Sequence, residues 1–259
     1  HWRKTRFTER LGVEYPIIQG PFGSGLSSVR LATAVSNAGG LGSYGAHVLS
    51  AAEIGALVAE MRGLTARPFN VNLWVPLPDE AALTLTAAEF KAESDRLRPV
   101  RERVGLPEPE VAQRPASYAA QDFDKQLEAL IEARPPVASF VFGAPPVAAI
   151  EEMKRRGTVT IGTATTVDEA IALEAVGMDL IVATGSDAGG HRVSFLRRAE
   201  ESLVGTFSLV PQIVDAVRVP VIAAGGIADG RGIAAALALG AAAVQVGTAF
   251  LACEESNAS

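Results

Sequence analysis

Eight short apolar runs alternate with Ala/Leu-rich helical stretches, and glycines close several helices directly before a strand. Glycine-dense turns follow several of the runs. Together these features predict an α/β chain wound as a (β/α)8 TIM barrel with an insertion after the third strand. Strands are expected at 16–19, 41–44, 69–73, 137–142, 159–163, 180–184, 221–224 and 243–246. Helices are expected at 29–37, 51–61, 123–133, 146–156, 167–175, 209–217 and 230–239.

The strands DLIVA and PVIAA are apolar at nearly every position, as a parallel sheet buried on both faces requires. The stretches AGGLGSY, AVGMDLIV and ALGAAAVQV each run from a helix end through glycine into a strand, so the glycine supplies a left-handed cap. The segment 76–121 breaks this rhythm. It is charged and punctuated by proline, holds a helix or two around 87–98, and reads either as a lid over the strand ends or as a solvated excursion.

An open doubly wound sheet is the alternative, and it is rejected on the first glycine turn. GPFGSG (20–25) leads into Gly-x-Gly-x-x-Ser rather than Gly-x-Gly-x-x-Gly, and no acidic residue ends a clear second strand. The backbone of Gln19, Gly20 and Pro21 could instead lie against a flat ring.

At 259 residues the chain can form a single barrel domain spanning 1–259, with 76–121 as its insertion. It is expected to continue past Ser259, because a helix should follow the last strand. A net charge of −6 without a Lys/Arg run argues against nucleic acid as a partner, and no apolar run is long enough to span a bilayer. The lone Cys253 excludes an internal disulfide, and no His, Asp or Glu set has metal-ligand spacing, so no metal site is expected. A cytoplasmic protein is expected, with a homo-oligomer left open.

The turns AAGGI (223–227) and QVGT (245–248) follow the seventh and eighth strands, where barrels commonly seat a phosphate on converging backbone N–H groups. Either turn alone could be ordinary turn chemistry; two in succession favour an anion. In ATGSDAGGHRVSF (183–195), His191 follows two glycines after the sixth strand, where an imidazole can take a proton from an acidic carbon near neutral pH. His47, after the second strand, stays a candidate. Asn70 and Asn72 share one face of the third strand, and Asn72 reads either as a ligand contact or as a bond to a neighbouring strand.

The segments PIIQGPF, NAGGLGS, FNVN, SDAGGHRVSF, AEESLVGTF, VPVIAAGGIADGRG and AVQVGTAFLACEES, in this order, resemble the nitronate monooxygenase family (formerly 2-nitropropane dioxygenases). Some are shared with the flavin-dependent enoyl-ACP reductases. The resemblance implies a non-covalent FMN, with Gln19, Gly20, Pro21 and Asn72 on the isoalloxazine. It further implies Gly189, Gly190, Gly225 and Gly226 along the ribityl-phosphate chain, Gln245, Val246, Gly247 and Thr248 at the phosphate, and His191 as the catalytic histidine. Thr184 and Thr163 stand where relatives often carry glutamine and lysine, and both are kept as flavin contacts.

The implied reaction takes a small alkyl nitronate, such as propionate-3-nitronate, and O2 to a carbonyl compound and nitrite. Two rivals remain open: an NAD(P)H-dependent flavin reductase of the quinone or enoyl-ACP type, and a flavin-binding protein without turnover.

Overall fold

The computed structural model describes residues 2–23, 25–77, 86–108 and 121–258. The chain divides into two compact units, His1–Pro76 with Gln121–Ser259, and Leu77–Ala120.

The larger unit opens with α1 (Arg6–Leu11). It continues with β1 (Ile17–Gln19), α2 (Val29–Asn37), β2 (Gly42–Gly45), α3 (Ala51–Leu64) and β3 (Phe69–Trp74). In the smaller unit, α4 (Ala87–Val104) starts on a Thr86–Glu89 capping box and stops at a left-handed Gly105. It runs through Pro99 to Val104, past the expected end near 98. Residues 78–85 and 109–120 of the expected insertion lie outside the described residues.

The larger unit resumes with α5 (Phe123–Ala133), β4 (Val137–Val141), α6 (Val147–Arg155), β5 (Val159–Ala164), α7 (Val167–Ala175) and β6 (Leu180–Thr184). It then runs through α8 (Thr206–Ala216), β7 (Val221–Ala224), α9 (Gly230–Ala238), β8 (Ala243–Val246) and α10 (Thr248–Leu251).

The eight strands are parallel in the order β1-β8-β7-β6-β5-β4-β3-β2. Gln19 N–H donates to Leu41 O at 3.0 Å and Leu41 N–H to Ile17 O at 2.9 Å, which brings β2 back onto β1. The predicted (β/α)8 barrel is therefore what the chain forms.

Two apolar layers hold it. Ile18, Leu41, Val137, Ile161, Leu180, Ile222 and Ala243 fill the inside of the barrel, and the larger layer lies between strands and helices. Phe7 and Leu11 of α1 join the inner group, so α1 plugs the N-terminal end of the barrel. This helix escapes sequence reading because it is six residues long and too charged to show a stripe; burial of Phe7 decides it. Where α2 crosses β2 the contact is so close that a Cβ on Gly42 would lie 1.8 Å from Ala32 O.

Candidate functional site

Towards the C-terminal ends of the strands the inner layer turns polar. Asn70, Asn72, Ser139, Thr163 and Thr184 are buried there, below a cavity of about 550 Å3. Strand alternation decides which side chains reach it: Asn70, Asn72 and Trp74 from β3, Ile161 and Thr163 from β5, Val182 and Thr184 from β6.

Of the residues singled out in the sequence, Gly20, Pro21, Asn72, Thr163, Thr184, Gly189, Gly190, His191, Gly225, Gly226, Gln245, Gly247 and Thr248 all line this cavity. Gln19 and Val246 are not among the lining residues, so any ligand contact at these two positions would be made by backbone and not by side chain. Both point out of phase with the lining positions. Gln19 is fully buried; its Oε1 accepts from Ser43 N–H at 2.9 Å and its Nε2 donates to Gly20 O. Its own N–H is spent on Leu41 O. Val246 packs into the layer between strands and helices.

The polar floor is cross-braced. Asn70 Nδ2 donates to Ser139 Oγ at 2.8 Å and Ser43 Oγ at 3.2 Å, leaving Asn70 Oδ1 buried without a partner. Asn72 Nδ2 donates to Ser139 Oγ at 3.0 Å and Ser139 O at 3.1 Å. The bond to a neighbouring strand is thus real for Asn72. Its Oδ1 has no donor among the described residues and remains an acceptor beside the cavity.

One wall is aromatic. His191 meets Trp74 edge-on, with centroids 4.9 Å apart, and lies 6.2 Å from Phe142 at a steep angle. Phe142 holds φ at +64, a left-handed conformation that a phenylalanine adopts only when its surroundings impose it. Sequence reading missed Phe142; the only hint was the following Gly143, itself at φ +133. His47 stacks flat on Trp74 and is pushed below the usual histidine pKa, first by burial and then by the charge of His191. Its Nδ1 is buried without a partner.

The glycine turns form the opposite wall. Gly225 and Gly226 sit at φ +117 and +68, and a Cβ on Gly225 would lie 2.5 Å from Thr206 Oγ1. The N–H groups of Gly226 and Gly247 have no acceptor among the described residues. Thr248 Oγ1 lies beside Gly189, 3.5 Å from where a Cβ there would stand. Asp187 is held below the usual carboxylate range by the backbone N–H and hydroxyl of Thr206. A flavin needs a long slot, free amide donors for a phosphate and an approach clear of Cβ atoms, and these residues fit one. Among the described residues no group of His, Cys, Asp or Glu could hold a metal ion, and no helix is long and apolar enough to cross a membrane.

Comparison with known proteins agrees with this geometry. The family model described as nitronate monooxygenase matches residues 4–259. A probable nitronate monooxygenase of Staphylococcus aureus is 45% identical over 259 residues, covering 100% of this chain and 70% of the relative. One from Staphylococcus haemolyticus is 45% identical over 260 residues, with the same coverage. Among solved structures, a nitroalkane oxidase from Streptomyces ansochromogenes superposes with a TM-score of 0.82 at 38% identity, over 96% of this chain and 69% of that one. FabK from Thermotoga maritima gives 0.72 at 34% identity, over 98% of this chain and 64% of that one. The chain belongs to the nitronate monooxygenase family and is an oxidoreductase of the flavin-using kind.

Proposed function

We propose that the chain oxidises small alkyl nitronates, such as propionate-3-nitronate, with O2 to a carbonyl compound and nitrite, using non-covalent FMN. The observation that carries this reading is a single cavity joining His191 on an aromatic wall to the glycine turns after β6, β7 and β8. When bound, the flavin supplies the redox chemistry that links nitronate oxidation to O2.

The chain's own residues bind and orient. The amides of Gly226 and Gly247 and the Thr248 hydroxyl would hold the phosphate, with Gln245 beside it, since all four residues line the cavity. Gly189, Gly190 and Gly225 let the backbone approach the ribityl chain. Gly20 and Pro21 would lie against the ring, the unpartnered Asn72 Oδ1 would accept from its polar edge, and Thr163 and Thr184 would contact it from the same cavity, which all five residues line. His191 takes the α-proton of a neutral nitroalkane, converting it to the nitronate that is oxidised. Trp74 and Phe142 pack edge-on against that imidazole and restrict its orientation.

The test is O2 uptake by FMN-reconstituted protein given propionate-3-nitronate, with NADPH in a parallel cell. Nitronate-dependent uptake without NADPH oxidation is expected. Turnover with NADPH alone would move the protein to the flavin reductases, and bound FMN without either activity to the binding proteins.

A further inference from the structure

We propose that Arg192 and Glu169 are positioning residues that aim His191 at the substrate carbon. The proposal rests on the reading of His191 as the proton-accepting base.

The His191 ring makes no hydrogen bond among the described residues. A base usually takes its direction from a partner on its second ring nitrogen, so here the direction must come from the backbone and the aromatic wall. The loop between β6 and α8 is anchored accordingly. Its first limb is seated by Ser186 N–H on Val204 O at 2.8 Å and by Thr206 N–H on Asp187 Oδ2 at 2.6 Å.

Immediately after His191 the chain doubles back through Arg192. Arg192 Nη1 donates to Thr184 O at 2.7 Å, closing the loop onto the end of β6. Its Nη2 donates to Thr165 O at 3.2 Å and also to Ser202 O, and its Nε donates to Ser202 Oγ at 3.2 Å. One planar fork thereby ties the end of β6, the turn after β5 and the far limb of the loop to the residue next to His191.

Glu169, fully buried on α7, holds the other side. Its Oε1 accepts from Phe195 N–H at 2.6 Å and Leu196 N–H at 3.1 Å. Its Oε2 accepts from the N–H and the hydroxyl of Thr165, both at 2.7 Å. Thr165 is the shared post: its carbonyl receives Arg192 and its N–H and hydroxyl serve Glu169. Lysine cannot replace the fork, because a point ammonium on a flexible stem does not span carbonyls on three separate segments. Glutamine at 169 would present an amide N–H to donors already in place.

The experiment compares wild type, Arg192→Lys and Glu169→Gln, each reconstituted with FMN. It reads kcat and KM on a neutral nitroalkane and on its pre-ionised nitronate, retention of flavin, and the 13C-labelled imidazole resonances. The chain has three histidines, and the spectra of His191→Ala and His47→Phe assign the two resonances. Each variant is expected to lose neutral-nitroalkane turnover on the order of 100-fold, the scale of a small misplacement of a catalytic group. Nitronate turnover should stay within about threefold of wild type, since that substrate needs no proton removed. The His191 resonance should leave its position beside the Trp74 ring while that of His47 stays.

Equal losses on both substrates, or losses that follow flavin release, would reduce the pair to a structural role and overturn the proposal. An unmoved His191 resonance would do so whatever the activity. If wild type lacks nitronate turnover altogether, the functional reading fails, and the imidazole spectra alone still decide whether the clamp sets the ring.

Discussion

The imidazole of His47 lies flat on the indole of Trp74, with ring centroids 3.8 Å apart and planes 3° from parallel. That same indole meets His191 edge-on, so two histidines from distant turns share one aromatic wall. Gly23 packs directly on His47: a Cβ there would lie 2.4 Å from its Cε1. The His47 Nδ1 is buried there without a hydrogen-bond partner.

This packing makes stability depend on pH. Burial and the His191 charge hold the folded-state pKa of His47 below its ordinary 6.5. The unfolded chain therefore binds a proton first as pH falls. The contribution is whole above about 6.5 and is lost as pH drops from there through the depressed pKa. Thermal melts between pH 8 and 5 should show Tm falling on the acid side, with a shallower fall in His47→Phe, which keeps an aromatic stack. A fall identical in both proteins would place the acid sensitivity elsewhere.

Removing the proposed base should separate binding from chemistry. His191→Ala leaves the glycine turns intact and should retain FMN. Its turnover of neutral nitroalkane should drop about 100-fold or more, the usual contribution of a general base. Stopped-flow flavin reduction with each substrate form measures this, and unchanged reduction by the neutral form would remove His191 from the mechanism.

Two glycines in the same cavity should respond differently to alanine. At Gly225 a methyl group faces both φ +117 and a 2.5 Å contact with Thr206 Oγ1, so Gly225→Ala should cost about 1–3 kcal/mol and weaken FMN binding. At Gly190 no protein atom lies within 4 Å of the new Cβ, so Gly190→Ala should fold as stably as wild type and lose only FMN affinity, through its approach to the ribityl chain. Chemical denaturation with flavin fluorescence distinguishes the pair.

Phe142 carries backbone strain at the aromatic wall. Phe142→Gly and Phe142→Ala both delete the ring, but only glycine relieves φ +64. The glycine variant should be the more stable of the two by about 1 kcal/mol, the cost of a left-handed L-residue. Urea melts of equal midpoint would show that the position is not strained.

Local pattern was enough to find most of the scaffold. Leu180–Thr184, Val221–Ala224 and Ala243–Val246 form strands over the very residues that periodicity and glycine punctuation indicate, as do Val29–Asn37, Phe123–Ala133 and Val167–Ala175 among the helices. The glycine turns and His191 were legible for the same reason: each sits at a strand end, and in a parallel barrel all strand ends share one face.

Side-chain direction and long-range contact were not legible. Gln19 and Val246 lie within the right segments yet turn away from the cavity, because strands buried on both faces give no apolar–polar alternation to reveal which residues point inward. Short α1 has no stripe of its own and exists through the burial of Phe7 in the barrel floor. The stack of His47 on Trp74, the strained Phe142 and the Arg192–Thr165–Glu169 clamp join residues far apart in the chain. What the sequence by itself determined was where strands begin, where helices end and which turns are rich in glycine, all set by neighbours a few residues away. Only the closed barrel decided which side chains face one another, because that depends on strand register and parity that no local stretch of chain encodes.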